Sequence, residues 1–329
     1  MSLAVAVPAG FGVLLGGAAF AFLWLDRHDR DLVPWLVGTA LWGFAFPAAL
    51  ALAGTRLPQL LAEPAAGDAV PELWVAGPAL AAAVPLLGLA LPVVLVARSR
   101  ALEGPSGGLV FGICAGLAFS FGMHVLVVVR GTWQPAAGAL VFMSLLHAAA
   151  GAVLGAGVGW AKLSAPRGMR VPAVAGAIVA AAALGVVLVA AAAACWRRWG
   201  GGSDLCNLAL AAADVGVLAG AIAFSLALER KVLATQLAEE VGLGVLPEWV
   251  ADILPSYRRR VRSDWWARRD ERREIVRLLL GLAFRKRRLR SLPEERARLY
   301  GLEVGRLRQR ARVLLALSPA PLAGAQAAE

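Results

Sequence analysis

Polar and apolar positions divide the chain at Leu228. Before it, long apolar runs recur, separated by short segments that hold nearly all of that region's charge. A bilayer core about 30 Å thick is crossed by about 20 apolar helical residues, because a helix satisfies its own backbone groups where water is absent. Seven runs meet that length: residues 3–25, 33–53, 73–97, 108–129, 136–160, 171–195 and 208–228. The first is too long and wrongly flanked for a secretory signal peptide and is predicted to be retained as a span.

After Leu228 the pattern turns amphipathic, in ERKVLATQLAEEVGLG, LPEWVADILPS, RREIVRLLLGLAFRKRRLR and SLPEERARLYGLEVGRLRQRARVLLAL. Ser291 with Pro293 and Glu294 makes a good helix start, which predicts an antiparallel hairpin of two long tail helices. The ending SPAPLAGAQAAE is predicted to be disordered. The expected fold is all-α: a polytopic membrane helical bundle of about seven transmembrane helices over residues 1–228, a basic cytoplasmic helical tail over 229–317, and a disordered terminus over 318–329.

Composition agrees with that division. Hydrophobic residues make up 59% of the chain, which excludes an ordinary soluble domain. Most of the net charge of +11 arises after Leu228, where about two-thirds of the Lys and Arg residues lie. In the short loops, positive charge resists translocation and so marks the inner side. Loops one, three and five hold Arg27, Arg30, Arg98, Arg100, Lys162, Arg167 and Arg170, whereas loops two, four and six hold Arg56, Arg130, Arg197 and Arg198. The predicted protein is multi-pass in the cell (inner) membrane, N-terminus outside and C-terminus cytoplasmic.

Small residues at four-residue spacing, Gly112 with Gly116 and Gly151 with Gly155, predict close helix crossings in lipid. Trp35, Trp74, Trp133, Trp160 and Trp196 fall near span ends, as interfacial anchors should. Three cysteines are too few for a disulfide framework. Cys114 reads as a small apolar residue, while Cys195 and Cys206 flank the sixth loop on the outer side, where an oxidising compartment could bridge them.

Candidate chemistry is sparse. The titratable side chains within the proposed spans are His124, His147 and Asp214, and ionisable groups in a membrane default to a functional hypothesis. At 1.5 Å per residue His147 falls near the bilayer middle, and His124 and Asp214 in its outer third. Two histidines and a carboxylate can bind a metal, but no H-E-x-x-H spacing is present, so neither a metal nor another cofactor is assigned. The competing reading is that each hydrogen-bonds between helices. No phosphate-cradling glycine loop, zinc-spaced Cys and His pair or nucleophile elbow occurs.

Arg258 to Arg260, Arg262 and the basic run Arg285, Lys286, Arg287 and Arg288 suit the anionic inner leaflet. Nucleic acid is the weaker candidate. The interleaved acids Glu239, Glu240, Asp270, Glu271, Glu274, Glu294 and Glu295 predict ion pairs on helix surfaces.

Four segments resemble the PrsW-like intramembrane proteases, distant relatives of the CAAX prenyl proteases. WLDRHDRDLVPWLVGTALWG (24–43) is similar to that family's opening helix pair. EGPSGGLVFGICAGLAFSFGMHV (103–125) resembles its D-G-x-x-x-G-x-x-x-G-x-G-F-x-x-x-E-N stretch, and LLHAAAGAVLGAGVGWA (145–161) its H-A-x-x-x-G-x-x-G-x-x-x-G helix. The tail, with LERKVLATQLAEEVGLGVLPEWVADILPS and GLAFRKRRLR, resembles that of many actinobacterial-type members.

The family's mechanism implies intramembrane glutamates, in E-E-x-x-K on one helix and F-x-x-x-E on the next. A carboxylate of raised pKa can activate water while a neighbour protonates the leaving amine. Here Pro78, Ala79 and Ala82 stand at the first motif, Met123 and His124 follow Phe119 where the family has Glu and Asn, and Gly107 replaces a loop Asp. The family's H-x-x-W-N falls near Ala193, Trp196 and Arg197, without its His. His147 alone keeps its place. The resemblance therefore implies a pseudoprotease that binds transmembrane segments or membrane-protein partners. Its alternative is an active intramembrane protease with an altered site of His124, His147 and Asp214. A transporter or channel would need a polar path that three titratable side chains scarcely supply.

Overall fold

A computed structural model describes residues 33–52, 73–99, 104–130, 137–164, 167–199, 204–256 and 269–316, together with Leu102 and Arg259. The predicted first span, Trp133, the basic positions 258, 260 and 262 and the predicted disordered end lie outside these residues. Every described element is helical: α1 (Val33–Leu52), α2 (Leu73–Arg98), α3 (Pro105–Arg130), α4 (Ala137–Ser164), a 3-10 turn (Arg167–Met169), α5 (Arg170–Trp199), α6 (Asp204–Gly242), α7 (Glu248–Ile253), α8 (Arg269–Leu289) and α9 (Glu294–Ala316).

Five of these, α1, α3, α4, α5 and α6, are long and apolar enough to cross a membrane. In α2 the stretch Gly88–Arg98 is apolar as well. The chain is thus a helical bundle of membrane type, and the described helices agree with the apolar runs of the sequence to within a few residues, except at the C-terminal end of α6.

The bundle is built around α3 and α4. About 78% of the apolar window in each is buried, against 17–22% in α1, α5 and α6, whose outer faces carry exposed Leu, Val, Phe and Trp. Lipid tails are as apolar as Leu, so the central pair is held by close packing. Gly108, Gly112 and Gly116 of α3 face Gly155, Gly151 and His147 of α4. A Cβ on Gly112 would fall inside the carbonyl of Gly151, and one on Gly155 inside the carbonyl of Gly108. The backbones meet as the spacing of these glycines predicted. The contact recurs at α1, where a Cβ on Gly43 would stand 2.7 Å from the Ala115 carbonyl and one on Gly122 2.6 Å from that of Phe44.

The two ends of the bundle differ chemically. At one, Cys195 and Cys206 form a disulfide between α5 and α6, with Cα atoms 6.2 Å apart. Trp196 Nε1 donates there to Asn207 Oδ1 at 2.7 Å. At the other, Lys162 donates to the Ser99 carbonyl just past α2, at 2.6 Å, satisfying an acceptor that the helix leaves open.

The expected boundary at Leu228 is not a break in the backbone. The 39-residue α6 runs through it, about 58 Å at 1.5 Å per residue and nearly twice a bilayer core. ERKVLATQLAEE consists mostly of good helix formers, so the pattern changes while the helix continues. It ends in a Schellman motif: Gly244 takes φ +64, its N–H bonds the Val241 carbonyl at 2.8 Å, and Val245 N–H bonds the Glu240 carbonyl at 2.9 Å.

Beyond it, α7, α8 and α9 pack on the end of α6 around Leu237, Val250, Leu254, Val276, Leu279, Leu282 and Ala311. Leu163 of α4 joins that core, which seats the tail against the bundle. The α8–α9 hairpin forms as expected. Its Ser291 hydroxyl donates to the Arg288 carbonyl at the end of α8, at 2.8 Å.

Candidate functional site

The α3–α4 seam holds two of the three titratable candidates. Ser120 and Ser144 hydroxyls meet across it at 3.4 Å. One turn inward, His147 is 5% exposed, and its Nδ1 donates to its own helix's Met143 carbonyl at 2.8 Å. Its ring lies 4.9 Å from that of Phe119. His124, about two turns of α3 closer to the disulfide end, is partly buried and within electrostatic reach of His147.

Asp214 lies on α6, fully buried, and among the described residues neither carboxylate oxygen has a hydrogen-bond partner. Ala211 before it packs with Phe142 and Leu146, and Leu218 after it with Ala148 and Ala152. Asp214 therefore stands at about the height of His147, deeper than the outer third expected for it.

Asp214 belongs to a polar stripe that sequence reasoning missed. Asn207, Asp214, Ser225, Glu229, Gln236 and Glu240 succeed one another at spacings of seven, eleven, four, seven and four residues, each close to whole helical turns. All but Glu229 are buried at 1% exposure or less. Glu229 caps α3: its carboxylate accepts from the Ser106 N–H at 2.8 Å and the Ser106 hydroxyl at 2.6 Å, where an anion also complements the helix dipole. The signal in the sequence was this periodicity, hidden because half the stripe lies beyond the apolar run.

The α2–α3 seam is apolar. Met123, at the position where the resemblance would place a glutamate, is 7% exposed in a cluster with Leu86, Leu89, Val93, Phe119 and Leu154. Cys114 Sγ faces the Leu36 carbonyl of α1 at 3.7 Å and packs as the small buried residue expected.

The tail concentrates its charge at Glu240, whose side chain is almost wholly covered. Lys286 Nζ reaches it at 2.6 Å and Arg308 binds it in bidentate fashion, at 2.7 Å to each oxygen. Burial alone would raise the Glu240 pKa, but the hydrogen bonds from Arg308 and Lys286 outweigh it and hold the carboxyl below its ordinary range. Glu239, bonded by Lys286 and Arg290, is lowered as well, and Arg308 is raised by its bond to Glu240. Of the acids expected to form surface ion pairs, Glu239, Glu240 and Glu274 pair instead between helices, Glu240 in the tail's interior.

The structure brings His124 and His147 to one seam and sets Asp214 on a third helix at similar depth. Among the described residues no group of three His, Cys, Asp or Glu side chains is placed to hold a metal ion. Comparison of the chain with protein-family models, curated proteins and solved structures finds no match.

Proposed function

We propose that this protein is a seven-span module of the inner membrane, with the architecture of the PrsW-like proteases but without their catalysis. In this reading it binds transmembrane segments of other membrane proteins and presents a cytoplasmic helical tail. The observation that carries it is the α2–α3 seam, where Leu86, Val93, Phe119 and Met123 fill the space a catalytic carboxylate pair would need. Peptide hydrolysis needs both a base for water and an acid for the amine. One His147 ring, whose Nδ1 donates to Met143, has only Nε2 left and cannot serve as both at once. The orientation, N-terminus outside and tail inside, is supported by the disulfide at one end of α6 and the basic tail at the other.

Asp214 favours the second reading, an active intramembrane protease with an altered site. Its carboxylate is buried at the depth of His147, without a partner among the described residues. Reconstituted full-length protein, incubated with single-span substrates, separates the two. The binding-module reading expects no cleavage; cleavage that His147→Ala and His124→Ala both abolish would establish the enzyme instead.

A further inference from the structure

Once partners are counted, the tail's basic residues fall into two groups. Arg285 pairs with Glu303 at 2.9 Å, Lys286 with Glu240 at 2.6 Å and Arg290 with Glu239 at 2.6 Å. Arg285 and Lys286, half of the run that looked most suited to an anionic surface, are therefore spent on the tail's own packing, and Arg288 stacks over the Tyr300 ring. Arg308 and Arg310 are taken in the same way by Glu240 and Glu274. Arg296, Arg298, Arg306 and Arg312 of α9 are exposed, and among the described residues they meet no acidic partner.

Arg298 and Arg306 share the outer face of α9 with Leu299 and Leu302, each 65% exposed, and with Val313 at 55%, while Arg296 and Arg312 flank that face on its two sides. Glu303, the one acid inside α9 beyond its first turn, is turned to Arg285. A helix face that mixes unpaired arginines with bare leucines suits the boundary between headgroups and acyl chains.

Its position agrees. Arg170, the first residue of the candidate span α5, donates from Nη2 to the Ser291 hydroxyl at 2.6 Å. Three residues later α9 begins, and Leu302 lies about 12 Å along it at 1.5 Å per residue. The start of α9 is thus pinned to a point where the chain enters the membrane.

We propose that the outer face of α9 lies on an anionic phospholipid surface. Arg296, Arg298 and Arg306 bind headgroup phosphates there, while Leu299 and Leu302 enter the interface. This rests on the reading that α5 spans a bilayer with the tail against it. An acidic protein or a nucleic acid is the competing occupant.

The test uses the full chain in lipid nanodiscs, with an environment-sensitive dye on Leu302→Cys. The disc exposes both membrane faces, so the result does not depend on orientation. In discs rich in phosphatidylglycerol the dye emission shifts to the blue and is shielded from an aqueous quencher. In pure phosphatidylcholine it is not, and high salt reverses the shift. The variant R296Q/R298Q/R306Q/R312Q loses the shift while keeping wild-type helical circular dichroism.

A dye equally exposed to water in both discs overturns the proposal. So does a shift produced by polyglutamate or single-stranded DNA but not by anionic lipid. A chain that enters neither disc overturns the membrane-bundle reading itself, whereas one that enters both with position 302 in water overturns only the α9 proposal.

Discussion

At the scale of single residues, the closest approach of the bundle is at Gly112. Its Cβ position is occupied by a backbone carbonyl that cannot swing aside. Gly112→Ala is expected to destabilise the bundle by about 1–3 kcal/mol and to lower its unfolding midpoint in detergent. Gly216→Ala, where nothing lies within 4 Å, leaves the midpoint unchanged. Equal midpoints would refute the tight α3–α4 crossing. That crossing was legible because four-residue glycine spacing has one strong physical use in lipid.

Glu240 was not legible in this way. In sequence it is one acid among many, and its burial depends on how α8 and α9 fold back over α6. Glu240→Gln leaves Lys286 with Glu239 as its remaining carboxylate and takes the bidentate charged acceptor from Arg308, and is expected to cost the tail about 1–3 kcal/mol. The sign with pH follows from the lowered pKa. The carboxylate's contribution is full above the ordinary value of about 4.3 and is lost as pH falls through the depressed folded value. Hydrogen exchange in α8 and α9 should therefore rise at acid pH in the wild type, with a smaller rise in Glu240→Gln; identical acid responses would remove Glu240 from that role.

At the scale of elements, helix limits were largely readable because apolar runs in lipid leave the backbone one choice. The exception is α6. Composition marks a border at Leu228, but backbone propensity does not, so one rigid helix joins the bundle to the tail. The partners of Asn207 and Glu229, and the lack of one for Asp214 among the described residues, were unreadable for the same reason as those of Glu240: spacing places them on one face without saying what lies opposite. The α5–α6 connection carries a sharper test. A bridge across 11 residues is expected to contribute up to about 3 kcal/mol. Alkylation of native membranes without reductant should leave Cys195 and Cys206 unmodified, and Cys195→Ser should lower the midpoint. Modification of both without reductant would refute the bridge.

At the scale of the whole molecule, the features form a polarity along α6: a disulfide and a buried Asn207 at one end, a Glu229 cap, an ion-paired tail and the unpaired arginines of α9 at the other. Under the proposed orientation the disulfide faces the oxidising outer side and the tail the anionic inner leaflet. The most direct test is protease protection in sealed vesicles of both orientations, with one epitope at the N-terminus and another after residue 316. The account predicts that the C-terminal epitope is cleaved only in inverted vesicles and the N-terminal epitope only in right-side-out ones. Cleavage of both epitopes from the same side would contradict it.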